Sequence, residues 1–248
     1  MKILIPTDFS ICAKEATDFA VEYALKNNAE IILLNVYELK YSESGVFLDF
    51  EDSMKSISLT NLEEELLRIE GKFKTLENLR IKKDQGIGSL AEVINEYSPE
   101  DIDIVIMGTK KGLNGLDEIL LGSETARVIG ETNIPVFVIP VNTDFKEVSN
   151  VLFALDLEEK ISRTEVNIVD GFCADDKRIH LFHSYDDAFG IDVEKEHQLK
   201  NKFMNYFPGS IIYLDLKFNK NKVNAIEEIV KDVNPCLLYT SDAADDSL

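Results

Sequence analysis

The sequence predicts an α/β protein built on an open five-stranded parallel sheet with helices on both faces, repeated in tandem with an incomplete second copy. Three observations carry this. Short apolar runs alternate with helical patterns as far as Pro140, the arrangement of parallel strands buried on both faces. The runs recur: "MKILIPTDFS" from Met1 and "SNVLFALDLE" from Ser149 are both apolar strands ending on an aspartate, and "AEIILLNVYE" from Ala29 matches "KRIHLFHSYD" from Lys177. Asp8 and Asp156, Ala29 and Lys177, and Tyr37 and Tyr185 all stand 148 residues apart. A constant offset through two strands and the segment between them marks a repeated unit.

Each element of the first copy has its own signal. "KILIP" is strand one, and Ser10 is a good N-cap for the helix after it. That helix gathers Ala13, Ala16, Ala20, Tyr23 and Ala24 on one face. "IILLNV" is strand two. A long helix follows, with Leu59, Leu62, Leu66, Ile69, Phe73 and Leu76 spaced by threes and fours, a stripe suited to lying on a sheet. "LRIKKD", "IDIVIMG" and "PVFVIP" are strands three, four and five, separated by the helices "SLAEVINEY" and "SETARVIGE".

Composition narrows the function. A formal net charge of −20 repels nucleic acid phosphates and anionic membranes, so neither is an expected partner. No run is long and apolar enough to span a bilayer and no leader pattern precedes strand one, so a cytoplasmic protein is expected. Of the three cysteines, Cys12 and Cys173 read as small apolar filler on helices. His180 and His183 stand three apart in one strand, point to opposite faces and do not chelate one ion together.

Ligands of open α/β sheets bind outside the carboxyl ends of the strands. Two features stand there: Asp8 after strand one, and the glycine-rich segment "GTKKGLNGLDEILLGSE" after strand four. Glycines admit phosphate oxygens close to the backbone, and the helix starting near Gly122-Ser123 offers free N–H groups to an anion. Lys110, Lys111 and Arg127 oppose the general acidity. Taken singly, the loop reads as well as a tight turn and Asp8 as a helix cap. Placed together they read as a phosphate cradle facing a carboxylate that bonds a ribose or base, or helps to hold Mg²⁺. The segment fits neither a Walker loop nor a dinucleotide fingerprint.

The stretches "ILIPTDFS", "AEIILLNVYE" and "GSETARVIGETNIPVFVIP" resemble the opening and the ending of a universal stress protein, an adenine nucleotide alpha-hydrolase-like fold. The family's nucleotide motif is Gly, two residues, Gly, nine residues, Gly, then Ser or Thr. Gly112, Gly122 and Ser123 match its second part, while three residues rather than two separate Gly108 from Gly112. The resemblance implies bound ATP, with AMP or ADP as alternatives. It puts Asp8 and the backbone of Val36 at the adenosine end. Met107, Gly108, Gly112, Gly122, Ser123 and Thr125 would line the ribose and phosphate end. A nucleotide-dependent interaction in stress response is the implied function, with a slow ATPase or a partner-binding module with an empty site as alternatives.

The domains expected are residues 1–142, which bind nucleotide, and 149–235, incomplete and degenerate, because "DLEEK" at Asp156 places extra carboxylates where a polyphosphate would come. Residues Cys236 to Asp245 resemble the in-frame translation of a transposase sequencing adapter. Residues 236–248 are therefore expected to be an adapter-derived artefact beyond a natural end near Pro235, to stand outside the fold and to pack poorly. Universal stress domains commonly pair through strand five. That resemblance implies a homodimer through "PVFVIP", or internal pairing of the two copies.

Overall fold

The computed structural model describes residues 1–38, 48–74, 76, 79–97, 100–111, 119–120, 122–155, 161–185, 193–219 and 221–240. The chain separates into two units, Met1–Phe145 and Lys146–Leu248, so the unit boundary falls within three residues of either sequence-based limit.

In the first unit β1 (Lys2–Pro6) leads into α1 (Ile11–Asn27), β2 (Glu30–Tyr37), α2 (Leu48–Lys72), β3 (Arg80–Ile87), α3 (Leu90–Asn95) and β4 (Ile104–Lys111). Then come β5 (Ile119–Leu120), α4 (Ser123–Glu131) and β6 (Val136–Pro140). Strands β3, β2, β1, β4 and β6 form the expected five-stranded parallel sheet in that order. The central strands carry Ile3, Leu4, Ile5, Ile31, Leu33 and Leu34, all completely buried. Each contributes about 1.5–3 kcal/mol from leaving water. One face of the sheet packs Leu4, Leu34, Val105 and Met107 under Ala91, Val93 and Ile94 of α3 and Val128 of α4.

The caps form as expected. Ser10 accepts from the Ala13 N–H, and Ser89 with Glu92 makes a capping box at α3. The alanine face of α1 is buried as predicted, and its small side chains bring the helix close to the sheet. The leucine stripe of α2 is only partly right. Leu62 and Ile69 are buried but Leu59 is 44% exposed, and the helix stops at Lys72, short of Leu76. Two further differences concern the glycine-rich segment. β4 runs on to Lys111, so Gly108 is a strand residue rather than part of a loop, and β5 pairs antiparallel with the end of β4 through Lys110↔Leu120 and Lys111↔Ile119. A two-residue strand is too short to leave a periodicity in the sequence.

In the second unit β7 (Val148–Ala154), α5 (Arg163–Phe172), β8 (Cys173–Tyr185), α6 (Val193–Tyr206), β9 (Ile211–Phe218), α7 (Lys222–Val233) and β10 (Leu237–Thr240) follow one another. The sheet is parallel, in the order β10-β7-β8-β9. Its pairing register repeats that of the first sheet: Ile3 lies beside Ile31, and Val151 beside Ile179. Phe153 anchors the core, with Phe203 at 4.9 Å and Tyr239 at 5.0 Å between ring centroids.

Tyr239 belongs to the segment expected to lie outside the fold, and for residues 236–240 that expectation is corrected. Leu237–Thr240 pairs in register with Val151–Ala154, and the Cys236 N–H donates to the Asn150 carbonyl at 2.8 Å. The Asp103 N–H does the same toward Lys2 ahead of β4. The physical reason is that "LLYT" is apolar and strand-prone, and the edge of β7 offers it a ladder of backbone partners. Residues 241–248 lie outside the described residues. Cys173, expected on a helix, instead closes α5 and opens β8, buried with its thiol on the Val169 carbonyl.

Candidate functional site

The site lies where strand ends meet helix starts in the first unit. β1 ends at Pro6, and the next four residues fold into a tight turn. The Thr7 N–H continues the ladder to the Leu34 carbonyl at 2.8 Å. Thr7 Oγ1 accepts the Phe9 N–H at 3.0 Å, and Phe9 sits in the left-handed region with φ of 61°. This conformation costs a non-glycine residue energy and is held by its surroundings. Asp8 is exposed at the crest, with Oδ1 accepting the Ser10 N–H at 3.0 Å.

A cleft of about 350 Å³ opens beside this turn, a size within the usual range for small-molecule sites. Six of the eight residues singled out from the sequence line it: Asp8, Val36, Met107, Gly108, Gly122 and Thr125. Val36 reaches it from β2, Met107 and Gly108 from β4, Gly122 and Thr125 from the start of α4. Ser123 opens α4 but is exposed and outside the lining, whereas buried Thr125 and exposed Glu124 of the same turn border the cleft. Gly112 lies outside the described residues.

The two glycines of the lining have different physical causes. At Gly108 a Cβ would come within 2.2 Å of the Cys12 carbonyl oxygen, so glycine is needed there for α1 to lie against β4. The sequence signal was real, but its cause is packing within the chain. At Gly122 the backbone is extended, with φ of −61°, and a Cβ would find its nearest neighbour 4.0 Å away at Thr125 Oγ1. Neither its conformation nor packing against the described residues calls for glycine at 122. A side chain there would project into space beside the cleft.

α4 begins without a side-chain cap on Gly122, so its first-turn N–H groups keep their partial positive charge for another partner. The charged side chains of the lining are carboxylates, Asp8, Glu38 and Glu124, and no basic side chain joins them among the described residues. Arg127, expected to serve the cradle, pairs on the surface with Glu131 at 3.2 Å and Glu124 at 3.9 Å. The side chains of Lys110 and Lys111 lie outside the described residues.

Two polar residues that the sequence reading passed over hold the turn from behind. Asn35 Nδ2 donates to the Thr7 carbonyl at 2.7 Å, and Ser58 Oγ of α2 donates to Asn35 Oδ1 at 2.7 Å. Both side chains are buried. An asparagine inside the apolar run "IILLNV" was the available signal, since a buried amide requires partners.

In the second unit the position of Asp8 is Asp156, outside the described residues. His180 bonds Asp215 at 2.9 Å and stacks on Tyr213, while His183 Nδ1 meets the Leu155 carbonyl at 2.9 Å. Each histidine therefore has a structural partner of its own.

The family model for the Universal stress protein family matches residues 1–140 of this chain. Universal stress protein MJ0577 of Methanocaldococcus jannaschii is 32% identical over 152 residues, covering 56% of this chain and 93% of the relative. Universal stress protein MJ0531 of the same organism is 31% identical over 147 residues, covering 56% of this chain and 81% of the relative. In fold, the chain is similar to the crystal structure of a universal stress protein from Archaeoglobus fulgidus. That match has a TM-score of 0.68 at 19% identity, over 96% of this chain and 86% of the other, and so runs across both units.

Proposed function

Since this chain belongs to the universal stress protein family, we propose that its first unit binds an adenine nucleotide, ATP above all with ADP or AMP at the same place, in the cleft between Asp8 and Gly122. The observation that carries the reading is the convergence of Asp8, Val36, Met107, Gly108, Gly122 and Thr125 on one cleft. They come from four separate segments of the chain. The space at Gly122 adds to it, because no described residue crowds a side chain there and a bare backbone admits a phosphate oxygen closely.

In this reading the adenosine end lies by Val36 and Asp8, and the phosphates face the free N–H groups of α4. Three carboxylates in the lining make a bare polyphosphate a poor guest. A Mg²⁺ ion fits if it arrives with the phosphates. Asp8 Oδ1 is engaged by Ser10, which leaves Oδ2 as the ligand. No group of three His, Cys, Asp or Glu stands ready to hold a metal among the described residues, so the phosphates would supply most of the oxygens. The ion would neutralise charge between ligand and carboxylates.

The protein then acts through nucleotide-dependent interaction in a cytoplasmic stress response. It is a tandem form of the family, with β6 as the edge for homodimer formation. Among the described residues β6 pairs with β4 alone, which leaves its outer edge to a second copy.

Calorimetric titration with ATP tests the central point, beside mass spectrometry of any nucleotide that copurifies. Saturable binding is expected in the native chain, and its loss in Gly122→Val with the fold retained. Absence of binding to folded native protein overturns the reading and leaves a partner-binding module. Sustained phosphate release would turn it toward a slow ATPase.

A further inference from the structure

We infer that Asn35, with Ser58 behind it, is the positioning residue for Asp8, and that it sets the nucleotide affinity of the first unit without touching the ligand. The inference rests on the nucleotide reading above for its binding arm, but its geometry stands apart from that reading.

The Thr7 carbonyl needs a donor. β1 has ended at Pro6, so this carbonyl lies past the regular ladder, and it is buried with its residue. A buried carbonyl without a donor costs about 1–3 kcal/mol. Asn35 Nδ2 is the donor, at 2.7 Å. A carbonyl only accepts, so Thr7 fixes the amide with Nδ2 toward it, and Ser58 Oγ then donates to Oδ1 and holds the other end. The chain of bonds runs from α2 to β2 to the residue just before Asp8.

Thr7 is held in three ways: its N–H by Leu34, its carbonyl by Asn35, and its hydroxyl by the Phe9 N–H. The left-handed Phe9 follows, and Asp8 stands between these two residues. Release of the Thr7 carbonyl frees the peptide that carries Asp8 and removes the restraint that keeps Phe9 in its costly conformation. Asn35 also neighbours Val36 on β2. Strand alternation turns Val36 toward the cleft and Asn35 toward α2. The same dipeptide thus sets both the Val36 wall and the place of Asp8.

The second unit supplies an independent instance. Residue 183 stands 148 positions after Asn35, as Leu155 stands after Thr7. There a histidine makes the bond, with Nδ1 2.9 Å from the Leu155 carbonyl. A carbonyl only accepts, so Nδ1 carries the proton. The Leu155 N–H also donates to Phe182 as Thr7 does to Leu34. Two unlike side chains converge on one hydrogen bond at one place in the fold. The bond itself is what the position requires.

The test uses the full chain and three variants. Asn35→Asp keeps the shape and the acceptor for Ser58 but puts a carboxylate oxygen against the Thr7 carbonyl. Asn35→His restores a donor in the manner of His183, and Ser58→Ala removes only the rear support. Amide hydrogen exchange of Phe9 and Ser10 is followed with Leu33 in the strand interior as control, and ATP is titrated in parallel. In Asn35→Asp the Phe9 and Ser10 amides should exchange about tenfold faster or more and the ATP Kd should rise about tenfold, with Leu33 unchanged. Asn35→His should stay within about threefold of the native chain in both, and Ser58→Ala should fall between. Unchanged exchange at Phe9 and Ser10 in Asn35→Asp overturns the inference, as does faster exchange with native ATP affinity. If Asn35→Asp loosens Leu33 as well, Ser58→Ala against Asn35→His decides by the same two readouts. A native chain that binds no ATP removes the proposed function, and the exchange arm still decides whether Asn35 holds the turn.

Discussion

In the first unit the bond from Cys236 has its equal at Asp103, the bond from Leu155 at Thr7, and the bond from Asn219 to Tyr185 at Gly88 to Tyr37. In residue identity the two units share little along these strands, yet the shared stretches pair in the same register, apart from a shift between Val148 and Asn150 in β7. The segments between the strands do not agree. α1 has 17 residues and α5 has 10, and the edge strand that begins Arg80, Ile81, Lys82 in one sheet begins Ile211, Ile212, Tyr213 in the other. The comparison teaches that the frame is specified by backbone pairing and apolar alternation, which many sequences satisfy. The site is specified by a few residues at strand ends, and these need not follow when the frame is copied.

The most damaging way to break the comparison is to attack a close frame contact of the first unit. Gly108→Val drives a side chain into the Cys12 carbonyl and should cost the first unit about 3 kcal/mol or more. Hydrogen exchange read peptide by peptide should show the loss in residues 1–145 and not beyond. Gly122→Val, by contrast, should cost within about 1 kcal/mol, the difference between a good and a poor N-cap.

Removal of Leu237–Thr240 comes next. If the second frame needs its fourth strand, the Phe153–Tyr239 contact and a ladder are lost together, and the second unit should weaken by about 2–4 kcal/mol in urea titration. An unchanged midpoint would make these residues passengers on the sheet and favour the adapter origin that their sequence suggests.

Tyr239→Phe sharpens the same point by about 1 kcal/mol. The Tyr239 hydroxyl donates to Glu165 Oε1 at 2.7 Å. Burial pushes the Glu165 carboxyl up, but its bonds with Ser162 and Tyr239 outweigh burial and hold it below the usual carboxylate range. A carboxyl lowered on folding stabilises above its ordinary value, near 4.5, and loses that contribution as pH falls through the folded value. The stability gap between native chain and variant should therefore be full at neutral pH and close as the pH drops below that range.

The smallest effect belongs to Arg127→Ala. Its exposed ion pairs with Glu124 and Glu131 should be worth less than about 0.5 kcal/mol, and ATP affinity should not change, because the guanidinium lies outside the lining.

Much of the frame was legible because it rests on patterns that span several residues. The 148-residue offset, the alanine face of α1 and the serine caps at positions 10 and 89 are of this kind. Six residues that line the cleft were singled out, Asp8 and the glycines from their place at strand ends and in the loop, Val36, Met107 and Thr125 from the family resemblance. What escaped depends on single contacts. Gly108 looked like a place for phosphate, although a helix carbonyl occupies the space, and no local pattern separates the two causes. β5 was too short to read, and Asn35 was visible as one polar residue in an apolar run, without its partners at Thr7 and Ser58, far away in sequence.

The contact between Gly108 and Cys12 has a mechanical consequence. With a helix carbonyl seated against bare strand backbone, the start of α1 and the middle of β4 move as one plate, and β1 is paired directly to β4. That side of the cleft is the fixed jaw. α4 is the other jaw, seated on the sheet through buried Val128 and Thr125 and without a side-chain cap at its first turn. A side chain that pushed α1 off β4 would therefore shift β1 and the turn that carries Asp8 along with it.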